Sequence, residues 1–310
     1  MDRRLISVLG ALVAVLVFFL LIVWIGGLIN EDLKLDETAL LRFLFVGIGL
    51  LIVFLVYLAT RRSGVWEVGT REVVYMAIGA ALYAVFSYLF NGTVFAVPSV
   101  SQVALRPAIA IPMFFGYAFG PAVGFFTGAV GNMFGDALTG FGLSPQWSVG
   151  NGLVGMIAGM ALLFPDKKKG INIVLILSTV LAVIGVIFYA FNTELANMMF
   201  FDADAGIFGD AQISWVAGLS VVIGFILVLI VRFAFGQNID VAAAVTWSML
   251  GNFLGIGFAA ISDIWINGFS LSVAMVGEFL PAAGPNLIFA AILVPLLVGA
   301  YAAVQRQTGR

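Results

Sequence analysis

Residues 105–160 decide the fold: LRPAIAIPMFFGYAFGPAVGFFTGAVGNMFGDALTGFGLSPQWSVGNGLVGMIAGM. The stretch is apolar enough to lie in a membrane, yet it carries Arg106, Asp136 and the amides Asn132, Gln146 and Asn151. It also holds 12 of the chain's 36 glycines. Polar groups at membrane depth are costly, so they usually face a cavity or a partner. We therefore expect a ligand to bind in this stretch.

The composition of the whole chain predicts an all-α polytopic membrane protein, because 63% of its residues are hydrophobic and only 10% are charged. Cysteine and histidine are absent, which excludes disulfides, thiol or Ser-His-Asp catalysis and the usual zinc or haem ligands. The sequence has no Walker A motif and no nucleophile elbow. We predict that the chain is not an enzyme, carries no cofactor or metal, and has the lipid bilayer but no nucleic acid as a partner.

Ten segments are apolar and close to the ~20 residues that cross a bilayer, although some are shorter and interrupted by glycine or proline. The predicted spans are 5–29, 39–60, 72–94, 106–120, 121–141, 149–164, 171–191, 213–235, 241–262 and 283–304. The first is longer than a signal-peptide core and lacks a cleavage pattern, so we interpret it as a retained helix.

Basic residues give the orientation, because they concentrate in cytoplasmic loops. With ten spans and both termini in the cytoplasm, only Lys34, Arg42 and Arg106 of the 14 Lys and Arg residues fall on the outer side. The acidic residues lean outward, Asp263 and Glu278 among them. The pattern predicts a multi-pass protein of the plasma membrane.

The spans differ in character. Two strongly hydrophobic helical hairpins, at 5–60 and 171–235, are typical of segments that pack against lipid. The other six spans hold the polar and helix-breaking residues. Pro121 follows a run of glycines spaced four residues apart and predicts a tight inner turn between two short helices.

Asn132 and Asp136 are four residues apart and share a helical face. They are candidates for ligand contact, and the alternative is a structural hydrogen-bonding pair between helices. Arg106 opens a short helix with Pro107. It could contact an anionic or carbonyl group of a ligand, bridge to Asp136, or reach the outer headgroups.

Trp147 and Asn151 flank Gly150 at the start of an outer helix. A tryptophan there is typical of a membrane-interface belt, but it could also stack on a planar ligand. Asn252 and Asn286 lie similarly in two later helices. Each amide alone is best read as structural, but four of them on four helices favour a shared polar pocket.

A smooth face on span 72–94 is made by small residues three and four apart, and it suits either packing within the chain or docking of another membrane subunit. Its members are Ala77, Ala80, Ala81 and Ala84.

Several motifs together resemble the substrate-binding membrane subunits (S components) of energy-coupling factor (ECF) vitamin transporters. The motifs are Arg71-Glu72-Val73-Val74 before the alanine face, Leu105-Arg106-Pro107, Phe119-Gly120-Pro121 with Gly124, Gly131-Asn132 with Asp136, Trp147-Ser148-Val149-Gly150-Asn151-Gly152, and a closing helix from Leu280-Pro281 to Pro295. They cover about 65–165 and 240–305.

The resemblance implies a six-helix core that binds one micronutrient near its outer face, under loops at roughly 95–104, 140–148 and 263–281. It also implies a transmembrane coupling subunit, met by the alanine face, and a pair of ATPase subunits. This chain departs from the family in its extra spans. It divides into an added hairpin at 1–64, core helices one to four at 65–165, an inserted hairpin at 166–238, and core helices five and six at 239–310.

These observations predict a subunit that captures a vitamin-like small molecule, with a flavin such as riboflavin or a heterocycle of the thiamine pathway favoured. Two alternatives stay open. One is an ion-coupled secondary transporter that uses Asp136 for protonation and the broken helices for gating. The other is a structural membrane subunit without a ligand.

Overall fold

A computed structural model describes residues 3–90, 96–97, 103–140, 142–193, 200–202, 207–209 and 215–308. Ten helices of ten or more residues account for most of this part of the chain. They are α1 (Arg3–Ile29), α2 (Ala39–Thr60), α3 (Thr70–Phe90), α4 (Ala110–Phe119), α5 (Pro121–Thr139), α6 (Pro145–Gly159), α7 (Lys167–Phe191), α8 (Trp215–Ala234), α9 (Ile239–Ile266) and α10 (Leu280–Gln307).

Shorter elements connect the long helices. Turns of 3₁₀ helix occupy Glu31–Leu33, Gly64–Trp66, Pro107–Ile109 and Met160–Leu163. Two antiparallel strand pairs are β1 (Ala96–Val97) with β2 (Val103–Ala104) and β3 (Phe200–Asp202) with β4 (Ile207–Gly209). One helical turn, Leu271–Val273, and a π-helical segment, Ala274–Phe279, lead into α10.

Each of the ten helices overlaps one of the ten predicted segments, although several bounds differ by about four or five residues. In the described part of the chain, six helical segments are long and apolar enough to cross a membrane. These six are Arg3–Ile29, Ala39–Thr60, Thr70–Phe90, Lys167–Phe191, Ile239–Ile266 and Leu271–Gln307. Residues 107–119 and 218–234 form shorter apolar helices. The architecture is that of a polytopic helical membrane protein.

Helices α5 and α6 form the centre of the molecule, since nearly all of their residues are buried. Helix α5 packs against α6, α3 and α4, and α9 packs against α6, α7 and α10. The outer layer comes from the two hairpins, because α1 lies on α5, α2 on α6, α7 on α9 and α8 on α10. Both hairpins therefore pack directly on the central helices.

The predicted tight turn between α4 and α5 follows from Gly120 and Pro121. Gly120 has a φ of 106°, which favours glycine, and Pro121 occupies the first helical position with a fixed φ. The amide of Gly120 closes α4 by donating to Gly116 O at 2.9 Å. The turn reverses the chain and sets α5 beside α4.

The predicted loop at 263–281 is wrong in extent. Helix α9 runs on to Ile266, and helical structure resumes at Leu271, so only residues 267–270 are non-helical. The physical reason is burial, because residues 274–281 are all buried and need hydrogen-bonded backbone. The predicted loop 140–148 is also shorter, since α6 begins at Pro145. Most of the predicted loop 95–104 lies outside the described residues.

Candidate functional site

A buried polar cluster lies between α3, α5 and α6, and its charged part is an ion pair. Arg106, which precedes the 3₁₀ turn at Pro107, donates from Nη2 to Oδ1 of Asp136 at 2.8 Å. Its Nη1 donates to Oδ1 of Asn132. Asn132 in turn donates from Nδ2 to Oδ2 of Asp136 at 2.8 Å, as their shared helical face predicts. Arginine, amide and carboxylate thus form a closed triangle.

Tyr83 and Ser148 extend this triangle to the neighbouring helices. The Tyr83 hydroxyl lies 3.0 Å from Oδ1 of Asn151 and 3.3 Å from Oδ1 of Asn132. Ser148 Oγ accepts a hydrogen bond from Nδ2 of Asn132 at 3.0 Å. Asn151 donates to the Trp147 carbonyl at 2.9 Å. Each of these groups is paired, as buried polar groups must be.

Sequence reasoning missed Tyr83 and Ser148. A tyrosine in the middle of an apolar span indicates a polar group nearby, because its hydroxyl needs a hydrogen-bonding partner when it is buried. Tyr83 is fully buried on α3, three residues after Ala80. Ser148 gave no such signal, since serine is common where helices pack closely.

Glycine brings α5 and α6 close enough to form the cluster. A Cβ atom on Gly128 would lie 2.2 Å from the Asn151 carbonyl oxygen, and one on Gly124 would lie 2.3 Å from the Gly155 carbonyl oxygen. Side chains cannot fit at these contacts. The glycine spacing in 105–160 therefore sets the distance between the helices that carry Asn132 and Asn151.

A second polar cluster centres on Asp263 at the end of α9. Its Oδ1 accepts from Nε2 of Gln146 at 3.0 Å, and its Oδ2 accepts from Nε1 of Trp147 at 2.7 Å. Asp263 is 1% exposed, although its sequence position predicted an outer loop. The first two turns of α6 thus contact both clusters. Gln146 and Trp147 bond to Asp263, whereas Ser148 and Asn151 bond to members of the first cluster.

Asn252 and Asn286 form a third group. Asn286 donates from Nδ2 to Oδ1 of Asn252 at 3.0 Å, and Asn252 donates to the Ala283 carbonyl at 2.9 Å. Within the described chain, these amides bond to each other across α9 and α10 rather than to Asn132 or Asn151. Of the four predicted amides, Asn132 and Asn151 thus share a hydrogen-bonding partner in Tyr83. Asn252 and Asn286 form a separate pair.

The alanine face of α3 borders a groove of about 700 Å³ between α1, α3 and α5. Ala80 and Ala84 are buried at its base, whereas Ala77 and Ala81 are exposed. Gly10 on α1 lines the opposite wall. Helix α1 therefore forms one side of the surface that the alanines were predicted to offer.

Comparison with known proteins identifies the segment that contains the first cluster. Residues 67–199 match the family model described as ECF-type riboflavin transporter, S component. The S-component resemblance is confirmed. The matched segment runs from α3 to α7 and contains Arg106, Asn132 and Asp136, whereas Asn252 and Asn286 lie beyond it.

Curated relatives carry the name UPF0397 protein. One from Vibrio atlanticus is 39% identical over 99 residues, which cover 32% of this chain and 50% of that protein. Another from Photobacterium profundum is 38% identical over 104 residues, which cover 34% of this chain and 53% of that protein. The chain thus spans about half the length of the curated relatives it matches. No solved structure matches it.

S components are integral membrane proteins, and the six long apolar helices agree with this. The chain is therefore described as a multi-pass membrane protein, with a segment at 67–199 that is similar to S components.

Proposed function

We propose that the chain is the substrate-binding subunit of an ECF-type importer, capturing a vitamin at the outer face for ATP-driven uptake by partner subunits. The observation that carries the proposal is the polar cluster of Arg106, Asn132, Asp136 and Asn151, which lies inside the S-component segment. Burying charged and polar side chains within a membrane protein costs free energy, so their presence together argues for a role beyond packing.

The cluster favours a ligand that offers both donors and acceptors. Arg106 supplies N–H donors, Asp136 supplies acceptors, and Asn132 supplies both. A ligand that replaces the contacts within the cluster would need N–H donors and acceptor atoms, either C=O oxygens or ring nitrogens, side by side. A flavin or a pyrimidine of the thiamine pathway has such an edge, which makes riboflavin and thiamine the first candidates.

Trp147, Asn252 and Asn286 complete the proposed site. Trp147 would stack on the planar ring from the start of α6, where Asp263 fixes its indole N–H. Asn252 and Asn286 would contact a more distant part of the ligand from α9 and α10. Asn286 donates a hydrogen bond to Asn252, so both amides lie on the same side of the proposed site.

The proposal also includes the membrane topology and the surface that meets the coupling subunit. Ten spans would place both termini in the cytoplasm, with core helices at 65–165 and 239–310 and added hairpins at 1–64 and 166–238. The surface formed by Ala77, Ala80, Ala81 and Ala84 would receive the transmembrane coupling subunit. Helix α1 borders that groove, so the partner would enter beside it.

A ligand screen tests the proposal. Purified protein is heated with riboflavin, thiamine and other vitamins in turn, and at least one should raise the unfolding temperature, since a ligand that binds only the folded state stabilises it. If no vitamin shifts the temperature of a folded sample, the proposal fails in favour of a structural subunit.

Reconstituted uptake separates the proposal from secondary transport. With an ECF coupling subunit and ATPases in proteoliposomes, we expect uptake of the vitamin to require ATP. Uptake driven by an ion gradient without ATPases would support the secondary transporter instead. Protonation of Asp136 in a transport cycle would remove its charge from the ion pair with Arg106, so that alternative requires the pair to be broken and remade in each cycle.

A further inference from the structure

The groove between α1 and α3 has an almost entirely hydrocarbon lining. Both helices pack on α5, which forms the floor of the groove. The wall on α1 includes the small residues Gly10, Ala11 and Ala14, and the alanines of α3 lie opposite. Among the described residues that line the groove, Ser7 alone has a polar side chain. An occupant must therefore be apolar along the whole length of the groove.

The groove is about as long as one leaflet of a bilayer is thick. Its lining covers positions 73–85 of α3 and 126–138 of α5, and each of these intervals rises about 18 Å at 1.5 Å per residue. On α1 the lining ends at Phe18, whose ring centroid lies 5.9 Å from that of Phe126 and 6.1 Å from that of Phe134. One leaflet contributes about 15 Å of hydrocarbon, half of the bilayer core. The length therefore fits an acyl chain of one leaflet better than a helix that spans both.

The groove begins at the first turns of α1 and α3, where basic residues lie. Ser7 marks this end on α1, and Arg3 lies one turn before it on the same helical face, since the two are four residues apart. Arg3 is exposed and has no ion-pair partner among the described residues. Its guanidinium group can therefore bind a phosphate beside the groove.

The other charged side chains of residues 3–10 and 67–77 form two ion pairs. Arg4 lies 4.0 Å from Glu67, and Arg71 lies 2.9 Å from Glu72. Because each pair is neutral as a unit, Arg3 leaves this end of the groove with one net positive charge. Basic residues at a membrane surface attract anionic lipids. The charge balance thus favours an anionic phospholipid over a zwitterionic one.

We propose that this groove binds one anionic phospholipid, with an acyl chain along the alanines of α3 and the phosphate at Arg3. The acyl chain supplies the dispersion contacts that an open groove would lack. Ala77 and Ala81 also belong to the surface proposed for the coupling subunit, so the lipid would compete with that partner. The binding needs neither a vitamin nor a partner subunit, so it stands or falls separately from the proposed function.

Native mass spectrometry of the purified full chain tests the groove. The protein is released from micelles that hold equal amounts of phosphatidylglycerol and phosphatidylcholine with identical acyl chains. The wild type should retain one phosphatidylglycerol molecule, and Gly10→Leu should lose it, because the new side chain fills the groove. Gly299→Leu is the control, since nothing lies within 4 Å of a Cβ there and it lies outside the lining. If Gly10→Leu does not fold, Ala77→Leu at another exposed lining position replaces it.

A second comparison tests the charge. Arg3→Gln should lower the retention of phosphatidylglycerol about fivefold, the effect of one basic residue at a membrane surface, and leave that of phosphatidylcholine unchanged. Arg306→Gln, which removes an exposed charge from the last turn of α10, should change neither.

Three results would overturn the proposal. One is equal retention of the two lipids by the wild type. Another is undiminished retention of phosphatidylglycerol by a folded Gly10→Leu protein. The third is a lipid-free dimer that Gly10→Leu dissociates, since a second copy of the chain would then fill the groove.

Discussion

Nη2 of Arg106 lies 2.8 Å from Oδ1 of Asp136, and this ion pair ties the start of the α4 segment to α5. Asp136 is 6% exposed, and the side chain of Arg106 is 21% exposed. Both charges therefore depend on each other and on Asn132 for hydrogen bonding. A ligand that enters here must offer similar interactions, and a mutation that removes one charge of the pair takes this attraction from the other.

We expect Asp136→Asn to destabilise the protein by about 3 kcal/mol, the lower end of the range for breaking a buried ion pair, because Arg106 keeps some exposure. Denaturant unfolding of Asp136→Asn, Arg106→Met and the double variant measures this as a double-mutant cycle. The double variant should be more stable than the sum of the single losses implies. Strictly additive losses would show that the two side chains do not interact.

Tyr83→Phe should cost about 1–3 kcal/mol, because it leaves the buried Oδ1 of Asn151 without its donor at 3.0 Å. Tyr88→Phe on the same helix is the matched control, since Tyr88 is 54% exposed. Unfolding temperatures of the two variants compare the effects. Equal small losses would mean that the Tyr83 hydroxyl does not support the cluster.

Gly128→Ala should separate α5 from α6, because the new Cβ would lie 2.2 Å from the Asn151 carbonyl oxygen. Gly47→Ala on α2 is its control, since nothing lies within 4 Å of a Cβ there. Stability and vitamin binding should both fall in the first variant and persist in the second. Retained binding by a stable Gly128→Ala protein would argue against the close approach.

Gly10→Leu should weaken assembly with a coupling subunit if the partner enters the groove between α1 and α3. A Cβ on Gly10 meets nothing within 4 Å, so the new side chain would fill the groove without disturbing the fold. Gly299→Leu has the same open surroundings but lies outside the lining of the groove. Co-purification with the coupling subunit should drop only for Gly10→Leu. Equal recovery of both would place the docking surface elsewhere.

Residues close in sequence were easier to predict than those brought together by packing. The spacing of Asn132 and Asp136 predicted their shared face, and Gly120-Pro121 predicted the tight turn between α4 and α5, because local geometry decides both. Tyr83 and Asp263 depend on contacts across 49 or more positions, which no spacing in a single sequence reveals.

Residues at the C-terminal end of α9 show why their charge led to a wrong prediction. An acidic residue near a span end normally indicates a loop in water, which is how Asp263 and Glu278 were interpreted. Here Gln146 and Trp147 supply donors from another helix, so the carboxylate is buried within helical structure. The partners lie more than 100 positions away in the chain.

Equilibrium binding of riboflavin and thiamine to the purified full chain tests the central claim most directly. We expect saturable binding of one vitamin at a single site. Asn132→Ala should abolish or strongly weaken that binding, and Asn192→Ala, which removes an amide at the end of α7, should preserve it. Folded wild-type protein that binds no vitamin, or an Asn132→Ala protein that binds as tightly as the wild type, would contradict the account.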